Sequence, residues 1–202
     1  MSGPSAAGSA ASVPAGWQTL AALEFAVGER LPFEETTVSR ILKRPVTATG
    51  ELWLAADGTL IMAIEAPRFE RRALEQRFVT LTRLRSGADR NPDDPADLIV
   101  RRLPIQADRP AQVLLRSIAQ LLDGNIDALQ DSFELLAPQE PAPPGDTGAS
   151  WELRLEPRAE RLRRRLPMVV LKGTGDRLLA VRADRGTQGS QTVRLLDTAA
   201  SS

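Results

Sequence analysis

Apolar positions along this chain change period three times, and each change predicts a switch of element type. From Trp17, residues Leu20, Leu23, Ala26 and Val27 recur near helical spacing and predict a short helix that Gly28 ends. Leu31-Pro32 then turns the chain extended. Residues 33–42 bring β-branched side chains (Thr36, Thr37, Val38, Ile41) and predict a strand. Residues 50–54 and 59–65 predict two more strands around Asp57-Gly58, a strong hairpin signal. Ala66-Pro67 closes that unit, because proline cannot continue a central strand. Residues 74–84 read as one strand, with Val79 and Leu81 on one face and Phe78, Thr80 and Thr82 on the other. A turn-rich loop spans 86–97, and residues 98–103 predict a short strand.

Helical spacing returns at Pro110. Leu114, Ile118, Leu121 and Leu122 share a face, Pro110 suits a first turn, and Asp123-Gly124-Asn125 ends the helix. Ile126, Leu129, Phe133 and Leu136 predict a second helix on one stripe. Past a Pro/Gly loop over 139–150 the period is two again. Trp151, Leu153 and Leu155 alternate with Glu152 and Arg154, and residues 166–171, 177–183 and 191–196 predict three further strands. The order is a helix, four or five strands, two helices and four strands. Short links between strands imply a mainly antiparallel sheet, with the two helices across one face.

One strand departs from simple alternation. Leu60, Ile61, Met62, Ala63 and Ile64 are apolar on both faces, so both sides of this strand are expected to be dry. Composition adds to that picture. The 202 residues contain no histidine, cysteine or tyrosine, and lysine occurs only at Lys43 and Lys172. Serine triads, thiol chemistry, disulfides and His- or Cys-based metal sites are therefore excluded. No catalytic residue, metal or cofactor is expected, and an enzyme is not. Equal numbers of Lys+Arg and Asp+Glu, 26 each, argue against nucleic acid as a partner. No stretch approaches the ~20 apolar residues of a membrane span. Residues 1–15 read as a disordered leader and 199–202 as a frayed tail, around one domain over 16–198. The leader has neither a charged nor an apolar region of a secretory signal, which leaves two readings: a cytoplasmic chain, or a mature exported form restarted with a new Met.

Other polar motifs carry bland readings. Glu34-Glu35 and Asp93-Asp94 are expected to be solvated surface. Gly173-Thr174-Gly175 lies between strands and predicts a hairpin turn, since a phosphate site needs a following helix N-terminus. Arg158, Arg161, Arg163, Arg164 and Arg165 face a single acid, Glu160. They fit either a solvated strand end or a patch for an acidic partner or anionic headgroups, and the first is favoured.

Several motifs in order resemble the LolA family of periplasmic outer-membrane lipoprotein carriers, closest to its divergent LolA-related branch. They are Gly50-Glu51-Leu52-Trp53-Leu54, Leu60 to Ile64 with Ala66-Pro67, Leu121-Leu122-Asp123-Gly124-Asn125-Ile126-Asp127-Ala128-Leu129 with Phe133, and Trp151 to Pro157 before an apolar strand ending at Gly173. The resemblance spans residues 17–197. It implies an α+β fold: a strongly curved antiparallel β-sheet, an unclosed β-barrel, with helices covering its concave face. It further implies a soluble monomeric periplasmic carrier. Such a carrier takes an acylated lipoprotein or other lipid from an inner-membrane transporter towards the outer membrane. The alternative is a structural or interaction module of the same fold without cargo. Main-branch carriers place Arg-Pro shortly after the Gly-x-Leu-Trp strand, where this chain has Ala56-Asp57. A different cargo or release step is thereby implied.

On that reading, the lipid-cavity candidates on the sheet are Trp53, Leu60, Met62, Ile64, Trp151, Leu153 and Met168. Those on the helices are Leu114, Ile118, Leu121, Ile126 and Leu129. Periodicity alone leaves open which strand face points inward, because a one-residue slip exchanges the faces.

Overall fold

The computed structural model describes residues 15–85, 91–106, 109–136 and 149–196. The predicted leader (apart from Ala15), residues 86–90 of the 86–97 loop, most of the 139–150 loop and the tail lie outside them. Helix α1 (Ala15–Ala21) precedes six strands: β1 (Leu31–Ser39), β2 (Val46–Leu54), β3 (Leu60–Ala66), β4 (Glu70–Leu74), β5 (Phe78–Leu84) and β6 (Leu98–Pro104). Helices α2 (Pro110–Leu122) and α3 (Ile126–Ser132) follow. The chain then forms β7 (Phe133–Leu136), β8 (Ser150–Pro157), the one-turn α4 (Glu160–Arg163), β9 (Met168–Thr174), β10 (Arg177–Asp184) and β11 (Gly189–Leu195). All eleven strands join one sheet in the order β6-β5-β4-β3-β2-β1-β11-β10-β9-β8-β7. Every pairing is antiparallel, and β1 brings the two halves together by pairing with both β2 and β11. Among the described residues β6 and β7 are unpaired edges, and the barrel is not closed.

The sheet bends sharply. Glu35 on β1 and Arg72 on β4 make an ion pair of 2.9 Å. Two strands separate them, so in a flat sheet their backbones would lie at least about 14 Å apart, three strand spacings. Only a concave wall, with small residues between, lets the side chains meet. β2 supplies those small residues, Ala48 and Gly50, on that face. A Cβ on Gly50 would fall 1.9 Å from the Ala63 carbonyl oxygen, at the register shift between β2 and β3. Glycine there lets the two strands approach as closely as the bend requires.

Inward positions alternate as the pleat demands. Phe33, Leu52, Leu54, Leu60, Met62, Ile64, Leu74 and Val79 from one half meet Leu153, Leu155, Val169, Leu171, Val181 and Val193 from the other in one buried cluster. The helices fill the space these residues enclose. Leu114, Leu115, Ile118, Leu121 and Leu122 of α2 and Ile126 and Leu129 of α3 belong to the same cluster. Gly124, at φ 65°, ends α2, and the Asn125 side chain caps α3 by accepting from the Ala128 N–H at 3.2 Å.

Several boundaries differ from the sequence reading, for local reasons. The first helix ends at Ala21, not near Gly28. Gly28 (φ 80°) instead donates its N–H to the Leu54 carbonyl at 2.8 Å, a tertiary bond to β2 that a continued helix would forfeit. The single strand expected over 74–84 is two strands, because a tight turn at 75–77 closes with the Glu75 N–H donating to the Phe78 carbonyl. This turn has neither glycine nor proline, so the usual punctuation is missing. The expected second helix stops at Ser132, and Phe133 and Leu136 belong to β7. Pairing of Phe133 with Pro157 and of Leu135 with Leu155 outcompetes another helical turn. β1 stops at Ser39, leaving Ile41 in an exposed turn. Leu166 is buried in the connection before β9 and lies outside the strand itself. Among the described residues the count is thus six strands before the helix pair and five after it.

Candidate functional site

The concave wall and the two helices across it define the candidate site. Of the twelve predicted cavity residues, Leu60, Met62, Ile64 and Leu153 on strands and Leu114, Ile118, Leu121, Ile126 and Leu129 on helices are brought together, all buried. Trp151 faces the same side, half-buried, with its indole N–H donating to the Gly175 carbonyl at 2.8 Å. Its ring lies across Gly173, where a Cβ would come within 2.1 Å of it. Gly173 is therefore a strand residue beneath an aromatic ring, and Gly175 (φ 56°) makes the expected turn.

Two candidates fall on the other face. Trp53 alternates with the inward Leu52 and Leu54 and points out, with the Arg30 guanidinium 4.2 Å from its ring centroid. Met168 alternates with the inward Val169 and Leu171 in the same way. The expectation that β3 is dry on both sides is also corrected. Its outer residues Ile61 and Ala63 are only half-buried, and Trp53, opposite Ile61, is covered by Arg30 and Arg71. An arginine lying over an aromatic ring shields apolar surface without making a second core.

Where the barrel fails to close there is a cavity of about 470 Å³. Its lining draws on both free edges: Ile105 and Gln106 follow β6, and Phe133 opens β7. Val113, Arg116, Ser117 and Gln120 on the flank of α2, with Arg158 and Ala159 just before α4 and Leu162 within it, complete most of the wall. The floor is apolar (Ile105, Val113, Phe133, Leu162), while Arg116 and Arg158 add two cations and Asp131 one anion. Arg158 is held there because its Nε donates to the Gln130 and Phe133 carbonyls at 2.9 and 3.2 Å. None of these residues was singled out as cavity lining from sequence, except that Arg158 belonged to the arginine run. The signal was the i, i+3, i+4, i+7 row 113, 116, 117 and 120, whose mixed polarity hides it from an apolar search.

A second missed feature is ionic. Glu35 was expected to be solvated, yet it is only 6% exposed. It accepts from Arg72 Nη1 and from Gln191 Nε2, each at 2.9 Å. Arg72 also donates from Nε to Glu70 at 2.6 Å, Arg83 bonds the other Glu70 oxygen, and Arg185 bonds Gln191. Burial alone pushes the Glu70 carboxyl up and is the largest single influence. The hydrogen bonds and charges of Arg72 and Arg83 together outweigh it and hold Glu70 below the usual Glu range. The phase of Phe33 and Glu35, two apart on one strand, was the readable clue that this carboxylate points inward.

The architecture is an open antiparallel sheet whose concave wall is covered by amphipathic helices. Comparison with known families agrees. A family model described as outer membrane lipoprotein carrier protein LolA-like matches residues 7–202. The chain belongs to that family. Among solved structures, a LolA superfamily protein from Nitrosomonas europaea is similar at 11% identity and a TM-score of 0.39, over 93% of this chain and 93% of that one. No curated protein matches significantly. Among the described residues no helix is long and apolar enough to cross a membrane.

Proposed function

We propose that this protein is a periplasmic carrier that holds acyl chains of a lipoprotein or other lipid between the concave sheet face and helices α2 and α3. It receives that cargo from an inner-membrane transporter and passes it towards the outer membrane as a monomer. The observation that carries the reading is the apolar plug that α2 and α3 form against the sheet. α2 and α3 place seven large apolar side chains into an unclosed barrel, beside a cavity lined from both free edges.

Magnitudes make the exchange workable. Burying ~15 methylenes of an acyl chain yields on the order of 12 kcal/mol at ~0.8 kcal/mol each. The seven plug side chains bury apolar surface at ~1.5–3 kcal/mol each, about 10–20 kcal/mol together. Displacing part of the plug offsets much of the gain, so binding is moderate and reversible. A rigid empty cavity of the same size would hold its cargo too tightly to release it.

The filled interior also suits a module that never takes cargo, since every plug residue is already buried. Native mass spectrometry of the protein after incubation with fatty-acyl ligands separates the two. Stoichiometric adducts support the carrier. A lipid-free spectrum at saturating ligand, with the fold intact, sinks it.

A further inference from the structure

The end of the sheet that carries the β1–β2 turn exposes a cluster of apolar side chains among cations. Ile41 at the apex of that turn is 93% exposed, and Val38, Leu42 and Val46 are each between 43% and 45% exposed. Arg40, Lys43 and Arg44 flank them, and no acidic residue occurs from Ser39 to Gly50. None of the three cations has a hydrogen bond or ion pair to a described residue. The turn is held by its own backbone: Ser39 accepts from the Leu42 N–H at 3.1 Å and, through its hydroxyl, from the Ile41 N–H at 3.3 Å.

Antiparallel order sets the turn's neighbours. β1 and β8 run towards this end, and β2, β9 and β11 start from it, so the β8–β9 connection sits at the same end. That connection carries α4 with Arg161, Arg163, Arg164 and Arg165, of which Arg164 pairs with Glu160 and Arg163 with Glu156. The exposed Arg68 lies in the β3–β4 turn, also at this end. Asp93, Asp94 and Asp97 in the β5–β6 connection are its main counterweight. At the opposite end the β2–β3, β4–β5 and β9–β10 turns carry Asp57, Glu75 and Asp176 with Arg77 and Arg177. The chain is neutral overall, but this one apolar tip is set among cations.

We propose that the Arg40–Arg44 turn docks the protein on an anionic bilayer surface. Ile41 and Leu42 enter the acyl boundary, and Arg40, Lys43 and Arg44 remain at the phosphates. Apolar residues flanked by long cationic stems fit the layered polarity of a bilayer interface. A flat acidic protein surface would satisfy the cations and leave Ile41 in water. Docking at this end also brings Arg158, Ala159 and Leu162 of the cavity wall to the membrane side, since they lie in the β8–β9 connection. The inference does not need the carrier reading, because vesicle binding and acyl uptake are separate measurements.

Co-sedimentation of the full chain with phosphatidylcholine vesicles, with and without phosphatidylglycerol, tests it. Each cation near an anionic leaflet strengthens binding roughly five-fold, so three make anionic vesicles about 100-fold better than neutral ones, and the preference falls with salt. Two variants localise the effect: Ile41→Ser with Leu42→Ser, and Arg40→Gln with Lys43→Gln and Arg44→Gln. Both alter only exposed positions, and circular dichroism checks the fold. Each is expected to lose at least ten-fold in affinity for anionic vesicles. Arg77→Gln, at the opposite end, is expected to change nothing. Equal binding to both vesicle types, no binding to either, or wild-type binding by both tip variants overturns the proposal. Retention by immobilised polyglutamate without vesicle binding points to an acidic protein partner and overturns it as well.

Discussion

The two ends of the concave wall are built from opposite chemistry. Towards one end, Leu54, Leu60, Leu74 and Val79 present only hydrocarbon. Towards the other, Glu35, Glu70, Arg72, Arg83 and Gln191 form a hydrogen-bonded chain across the sheet. Apolar contacts have no direction, so one hydrocarbon can replace another against the same wall. An ion pair inside a protein holds only in a narrow geometry, and breaking it leaves a charge without water or partner. The apolar end is thus the part of the wall that tolerates an exchange of partners. The ionic end ties β1 to β4 and holds the bend.

The largest expected effect comes from breaking the ionic end. Arg72→Met removes the cation between Glu35 and Glu70, whose side chains are only 7% and 13% exposed. Two partly buried carboxylates are then left facing each other. Urea unfolding is expected to show a loss of about 3–5 kcal/mol. A loss under ~1 kcal/mol would mean that water or a rearranged Arg83 solvates both acids and that the bend does not depend on this pair.

Leu121→Ala probes the apolar end. Leu121 is fully buried in the plug, and truncation is expected to cost about 2–4 kcal/mol by urea unfolding. If α2 competes with cargo for the wall, the same change strengthens acyl uptake several-fold in a fluorescent fatty-acid titration. Stability and uptake then move in opposite directions. Uptake that falls along with stability would make α2 part of the binding wall instead of its competitor.

What was legible in the sequence follows the same division. Strands and helices whose apolar positions repeat cleanly, such as Trp151 to Leu155 and Leu114 to Leu122, were readable because burial acts on each residue in turn. Which face of β2 and β9 points inward was not, since Trp53 and Met168 are as apolar as their inward neighbours and only the register decides. The α3–β7 change was hidden because Ile126, Leu129 and Phe133 keep helical spacing into a segment that pairing with β8 makes a strand. Glu35 was misread because an acid next to Glu34 looks solvated, while its partners Arg72 and Gln191 are 37 and 156 residues away. The family resemblance came from motif order. The cavity between the free edges depends on how far the sheet bends, which no local pattern encodes.

The smallest expected effect is the acid dependence of the ionic end. Arg72 and Arg83 keep the Glu70 carboxyl below its usual range against the push of burial. A carboxyl whose folded pKa is depressed adds stability that is fully present above its unfolded pKa, near 4.3, and is lost as pH falls through the folded value. Replacing Glu70 by Gln removes that charge at every pH. At neutral pH the variant is expected to be less stable than the parent by on the order of 1 kcal/mol, because Arg83 is exposed enough for water to screen its share. As pH drops below ~4 the parent loses the contribution and the two unfolding curves converge. The comparison isolates Glu70, since every other carboxylate titrates in both proteins. A difference that stays constant down to strong acid would show that the Glu70 contacts act through shape and hydrogen bonding, with no net charge contribution.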